Sequence, residues 1–245
     1  FSPSGKLAYV LAPDSTDKKG DVVYINRLVY DGKESRSYGS VTNIKFSEEG
    51  SHTFIASNKK SKYFIVQDNE VISGKYDYIS DYRYLAGGEF SYVGTKYGNY
   101  DKKETDKYYV FIGEERFGPY DLVSTAEWKT YAMVQGDNIG DYAFIAGNNT
   151  VKDGYNYKYS VYTNNWTSGK FDNISDLRII NNRIYYFAGN QLTKEEYIYT
   201  YRLYVDNKQL GDQYSAFTDI NVSESGVMSF IASKGNNMYF VEVKP

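Results

Sequence analysis

The stretch Gly50-Ser51-His52-Thr53-Phe54-Ile55-Ala56 decides the fold. It sets a small turn residue four positions ahead of an aromatic, which is followed by an apolar and then a small or apolar residue. The same spacing recurs from Gly5, Gly88, Gly140, Asn182 and Gly226. The aromatic column reads Tyr9, Phe54, Tyr92, Phe144, Tyr186 and Phe230. The next column reads Val10, Ile55, Val93, Ile145, Phe187 and Ile231, and the third Leu11, Ala56, Gly94, Ala146, Ala188 and Ala232. Three consecutive columns in phase, with a period of about 40 residues, mark an internal repeat.

Further columns keep the phase. A second strand runs into a two-residue turn at Asp31-Gly32, Asp68-Asn69, Gly113-Glu114, Asn164-Asn165 and Asp206-Asn207. Such pairs tolerate positive φ and close tight hairpins. A third strand then ends in an aromatic: Tyr38, Tyr76, Tyr120, Phe171 and Tyr214. A fourth opens on an apolar residue, a hydroxyl and an Asx: Val41-Thr42-Asn43, Ile79-Ser80-Asp81, Ile174-Ser175-Asp176 and Phe217-Thr218-Asp219, with Val123-Ser124-Thr125 the weakest copy. No segment sustains a 3.6-residue period, and Val, Ile, Thr, Tyr and Phe dominate.

Four short antiparallel strands per unit are the pattern of a β-propeller blade, whose sheet buries both faces only against its neighbours. The expected fold is therefore all-β, a propeller of six four-stranded blades with incomplete first and last blades. One domain is expected over 1–245, with units near 1–38, 39–76, 77–120, 121–171, 172–214 and 215–245. The aromatic columns form the expected seams between blades. Blade four is irregular, with about eight extra residues between Thr125 and Gly140 that suggest a long inner hairpin around Trp128 and Tyr131.

Phe1-Ser2-Pro3-Ser4-Gly5-Lys6, followed by Leu7-Ala8-Tyr9-Val10, resembles the F-S-P-D-G-K-x-h-A-F/Y-V motif of TolB-like (WD40-like) β-propeller repeats. Phe46-Ser47-Glu48-Glu49-Gly50 and Val222-Ser223-Glu224-Ser225-Gly226 are weaker versions. The resemblance implies a propeller, and an extracytoplasmic, bacterial setting. It implies no single activity, since the family includes periplasmic scaffolds and the propellers of prolyl-oligopeptidase-type peptidases.

Composition narrows the function classes. The 245 residues include 29 Tyr, and 18% of the chain is aromatic, which excludes disorder. With no Cys and one His, a disulfide scaffold or a Cys-based zinc site is impossible, and any histidine chemistry rests on His52. His52 follows a turn and reads as a surface residue. A net charge of −3 gives no global field for nucleic acid. No run approaches the roughly 18 apolar residues of a membrane span. There is no G-x-S-x-G elbow, H-E-x-x-H motif or Walker loop, so no catalytic residue, metal or cofactor is expected. The chain begins at Phe1 rather than Met, and is expected to be processed or part of a longer protein.

The remaining candidates are loops. Asp14–Asp21, Lys96–Lys107 and Asn148–Asn156 are the long ones, and uneven loops on a rigid scaffold are where binding resides. Tyr97, Tyr100, Asp101, Tyr155 and Tyr157 combine aromatic faces with polar groups suited to a peptide or a sugar ring. Period-2 alternation puts Lys45, Arg83 and Arg178 on one side of the inner strands, either as a cationic lining for an anion or paired with nearby Asp. The Asn43, Asp81, Asp176 and Asp219 column is expected to bond backbone amides at a loop-to-strand junction, the alternative being a ring of carboxylates for cations. The expected function is a non-catalytic binding or scaffold propeller for a protein or glycan. The alternatives are an accessory domain of a prolyl-oligopeptidase-type peptidase, or a polysaccharide-active enzyme.

Overall fold

A computed structural model describes the chain except for residues 17–18, 20–21, 86–87, 124–132, 136–140, 152–155, 193–197, 224 and 245. The protein is all-β and folds as a six-bladed propeller chain, in two compact units, Phe1–Pro119 and Tyr120–Pro245. Among the described residues each unit contributes three antiparallel sheets of three or four strands, and the first unit adds a two-stranded hairpin.

In the first unit, blade one is three-stranded, β1 (Ala8–Leu11) pairing with β4 (Arg27–Tyr30) and β4 with β5 (Lys33–Glu34). Between them β2 (Asp14–Thr16) and β3 (Val22–Tyr24) pair as a separate hairpin, so the expected loop from Asp14 is in part strand. Blade two orders β6 (Ser40–Phe46), β7 (His52–Ser57), β8 (Tyr63–Gln67) and β9 (Glu70–Val71). Blade three orders β10 (Tyr78–Tyr84), β11 (Phe90–Lys96), β12 (Lys107–Ile112) and β13 (Glu115–Tyr120).

In the second unit, blade four holds β14 (Leu122–Val123), β15 (Met133–Gln135), β16 (Tyr142–Asn149) and β17 (Tyr157–Thr163). Blade five orders β18 (Asn173–Ile180), β19 (Arg183–Gln191), β20 (Tyr199–Val205) and β21 (Lys208–Tyr214). Blade six orders β22 (Ala216–Val222), β23 (Met228–Lys234) and β24 (Asn237–Val243).

The motif opening each repeat is a closed turn. Ser47 carbonyl accepts from Gly50 N–H at 3.0 Å, Ser47 N–H donates to Ser51 carbonyl at 2.9 Å, and Ser47 Oγ accepts from Ser51 N–H at 3.1 Å. Ser2 and Ser223 repeat all three bonds with Gly5–Lys6 and Gly226–Val227. The turn needs a left-handed residue in its fourth place, hence φ of 77°, 91° and 80° at Gly5, Gly50 and Gly226. The hairpin pairs behave as expected at Asp31-Gly32, Asp68-Asn69 and Asp206-Asn207, where both residues have positive φ. Asn164-Asn165 differs: its turn is tied by Thr163 Oγ1, which accepts from both Asn165 N–H and Trp166 N–H.

The second strand of each middle blade is buried on both faces, as sheets covered on both sides require. Phe54 and Ala56 face a core with Leu28, Tyr38 and Val41, whereas Ile55 faces one with Ile65, Tyr76, Ile79 and Tyr92. In the second unit Tyr186 and Ala188 share a core with Ile145, Ile174 and Leu177, whereas Tyr185 and Phe187 face Tyr214, Met228 and Phe230. The columns are thus alternate sides of one strand. Tyr9 departs from this: it is 47% exposed rather than core, because β1 is an edge strand whose Ala8, on the opposite side, is the residue packed against the core of Leu28, Tyr38 and Phe54.

The Asx column sits inside the strands rather than at their entrance. Asn43, Asp81, Asp176 and Asp219 have φ between 48° and 53°, and the register of β6, β10, β18 and β22 slips around each of them. They are β-bulge residues, and Asn and Asp tolerate the left-handed conformation best after Gly. Blade four is interrupted at the corresponding place. Val123 pairs with Ala146 and Met133 with Phe144, so the extra residues enter where the other inner strands bulge. Trp128 and Tyr131, expected in a hairpin there, lie outside the described residues.

Candidate binding surfaces

In the first unit, the loop between β11 and β12 is built on its own hydrogen bonds. Asn99 carbonyl accepts from Lys102 and Glu104 N–H at 2.9 and 3.0 Å, around a 3-10 turn over Tyr100–Lys102. Gly98 N–H donates to Asp106 Oδ1 at 2.9 Å, and a side chain at Gly98 would meet Glu104 carbonyl, so the close crossing demands glycine. Tyr97 N–H donates to Asp77 Oδ2 at 3.1 Å, while Lys62 Nζ–H donates to Asp77 Oδ1. Burial alone would raise the Asp77 carboxyl pKa, but Lys62, the Tyr97 amide and Lys96 hold it below the ordinary value. Tyr97 is 57% exposed, and Asp101 of the same loop is exposed too. The structure adds two tyrosines that loop reasoning passed over. Tyr63 and the exposed Tyr78 pack edge to face at 6.4 Å, and Tyr63 and Asp77 lie close enough to Tyr97 to raise its phenol pKa, after burial. Both open strands at the end of the sheet where the long loops emerge.

In the second unit, Tyr157 starts a row. It lies 6.3 Å from Tyr159, and Tyr199 lies 6.0 Å from Tyr201, which meets Phe217 edge on at 5.1 Å. Burial, then the nearby Tyr157 and Tyr199, push the Tyr159 phenol above its ordinary value. The row is possible because Gly147 and Gly189 stand opposite Tyr159 and Tyr201 in register: a Cβ on either glycine would come 2.8 Å from the ring. Val151, Leu192 and Ile198 are exposed at the same strand ends. Tyr155 lies outside the described residues. Tyr159, Tyr199 and Tyr201 escape the sequence reading because they lie within strands rather than loops; their signal is the Tyr-x-Tyr pair repeated at 157–159 and 199–201.

The basic residues behave as paired or plainly solvated groups. Arg83 lies 4.0 Å from Asp81 Oδ1, and Arg178 lies 3.5 Å from Asp176 Oδ1, each cation next to the bulge residue of its own strand. Arg178 also donates to the Ile220 carbonyl of the next inner strand at 3.5 Å. Lys45, whose bulge residue is the neutral Asn43, is exposed.

His52 is 8% exposed, not a surface residue. Its ring lies 5.0 Å from that of Tyr30, and Nδ1 lies 2.9 Å from Asp68 Oδ1, an oxygen that also accepts the His52 amide. Burial lowers its pKa and Asp68 only partly offsets this. It serves packing and a turn. Among the described residues no group of three or more His, Asp or Glu is placed to hold a metal ion, and no helix is long and apolar enough to cross a membrane.

No protein-family model matches the chain, and no curated protein sequence does. Solved structures do. The β-propeller domain of the Trilobed protease from Pyrococcus furiosus, described as an open velcro topology, matches at 13% identity and a TM-score of 0.38, covering 98% of this chain and 79% of that one. The Dos1 propeller matches at 9% identity and a TM-score of 0.31, covering 93% and 81%.

Proposed function

We propose that this chain is a binding module that engages a protein partner through the ends of its blades where the long loops emerge. A fold of this kind hosts many activities, so the proposal rests on the surface and not on the architecture. The observation that carries it is the second unit's row of Tyr157, Tyr159, Tyr199 and Tyr201, flanked by exposed Val151, Leu192 and Ile198. Clustered exposed apolar groups mark interaction sites, and tyrosine supplies contact area with few rotors to freeze. Lys158, between Tyr157 and Tyr159 in sequence, is held by Asp172, and the centres of protein interfaces are depleted of unpaired charge. In the first unit, Tyr63, Tyr78 and Tyr97 supply a second group of the same chemistry.

A photo-crosslinking amino acid placed at Tyr97 or Tyr199 in producing cells is expected to yield discrete protein adducts. The same probe at Lys33 or Lys208, beside the hairpin turns at the opposite strand ends, is expected to yield none. The identified partner then loses at least about tenfold in affinity for the Tyr157→Ala/Tyr199→Ala variant, a loss equal to one or two hot-spot contacts. Equal crosslinking from both sets of positions, or undiminished affinity of the folded variant, overturns the proposal.

A further inference from the structure

At the opposite ends of β16 and β19 from the tyrosine row, the second unit holds a cleft of about 220 Å³. Its lining includes Asp141 and Tyr142 at the start of β16, Asn164, Asn165 and Trp166 in the turn after β17, Asn182 in the turn before β19, and Asp206. It does not depend on the surface proposed above.

The walls are rigid. Thr163 Oγ1 accepts from Asn165 and Trp166 N–H at 3.1 and 2.9 Å and donates to Trp166 carbonyl at 2.9 Å, so the first turn is set by Thr163 and by backbone groups. Asp206 Oδ1 accepts from Ile184 N–H, and its Oδ2 takes the Arg183 Nε–H, each at 2.9 Å. That carboxylate is therefore spent on Arg183, within the wall. Trp166 is half-buried against Tyr186, with centroids 6.4 Å apart, which fixes the indole plane.

Besides these walls, Asp141, Tyr142 and the apolar Ile179 and Ile184, the lining is three asparagines of one chemistry. Asn164, Asn165 and Asn182 are exposed, and among the described residues their carboxamides make no hydrogen bond. Three uncommitted groups, each able to donate and accept, surround a fixed indole. Hydroxyl groups donate and accept in the same way, and the C–H face of a sugar ring is the apolar surface that stacks on an aromatic. The volume lies below the roughly 300–1,000 Å³ of pockets for drug-sized ligands, which suits one ring.

We propose that this cleft binds a single ring of a neutral saccharide, its C–H face on Trp166 and its hydroxyls shared among Asn164, Asn165 and Asn182. The probes are the methyl glycosides of glucose, galactose, mannose and N-acetylglucosamine, with methyl glucuronide as a charged control. In a Trp128→Phe background, so that Trp166 is the fluorophore, at least one neutral glycoside is expected to change the emission saturably. Saturation-transfer NMR is expected to place the strongest contact on ring C–H protons. Asn165→Ala is expected to weaken binding about tenfold, the worth of one good hydrogen bond. Asn182→Gly is the matching variant there, since its φ of 60° suits glycine and the other repeats carry glycine in that column. Silence from all four neutral glycosides with a natively folded protein overturns the proposal. So does binding that both asparagine variants retain in full, or a preference for the glucuronide.

Discussion

Tyr76 closes edge on over Tyr92, with ring centroids 6.3 Å apart and planes at 65°. The geometry recurs at Tyr38–Phe54, Tyr120–Phe144, Phe171–Tyr186 and Tyr214–Phe230, so each repeat's last aromatic reaches into the next repeat's first column. In three seams a third ring lies flat on the second: Phe111 on Tyr92, Tyr162 on Phe144 and Tyr204 on Tyr186. Truncating Tyr76 or Tyr214 to Ala is expected to cost about 3–5 kcal/mol, as for other buried aromatics. The Phe variants keep the ring and are expected to cost under about 1.5 kcal/mol. Urea unfolding decides; a loss below that of the Phe variant would mean that the seams do not hold the blades together.

Gly94 leaves room for the same ring. A Cβ there would lie 2.7 Å from Tyr76 Cδ1. Gly94→Ala is therefore expected to destabilise by about 1–3 kcal/mol through overpacking. Combined with Tyr76→Leu, which vacates the contact, it is expected to cost less than the sum of the two single changes, and a double-mutant cycle measures this directly. Strict additivity would place the strain elsewhere.

Asp219 tests the bulge. It is exposed, with φ of 53° in the middle of β22. Asp219→Val is expected to cost about 1–2 kcal/mol, the penalty of a left-handed conformation for an ordinary L-residue. Asp219→Gly is expected to be close to neutral or slightly stabilising, since glycine carries no such penalty. If Val is as stable as Gly, the bulge geometry is not what selects the Asx column.

His52 gives a pH dependence with a definite sign. Its folded-state pKa is lowered below the ordinary 6.5, so the unfolded chain binds the proton more readily. The His52 contribution is present in full above pH 6.5 and is lost as the pH falls below it towards the folded value. His52 is the sole histidine, so this window is nearly free of other side-chain titrations. Melting temperature is expected to decline as pH drops below 6.5, and His52→Gln is expected to flatten that decline. A profile that His52→Gln leaves unchanged would locate the acid sensitivity in the carboxylates instead.

Much of the candidate surface was legible only in part. Loop length singles out Tyr97 and Tyr157 as candidates, and both lie at strand ends where the long loops emerge. Tyr63, Tyr78, Tyr199 and Tyr201 were not found, because a tyrosine in a strand is indistinguishable in sequence from a core tyrosine. Only the positions of neighbouring sheets decide which of its faces is covered. Arg83 and Arg178 were equally open to a ligand-binding and a paired role, and the Asp81 and Asp176 carboxylates beside them favour pairing.

The sequence by itself determined the blades, the strand order within each repeat, the tight turns and the two aromatic columns. These are local properties: side chains alternate with period two, and only Gly, Asn and Asp enter left-handed turns cheaply. Tertiary structure alone decided that Tyr9 is exposed while Phe54 is buried, that His52 is enclosed, and that Asn164, Asn165 and Asn182 gather around Trp166. Those outcomes depend on which sheet packs against which face, and burial is set by neighbours distant in sequence. A column shared by six repeats therefore does not have the same environment in all of them.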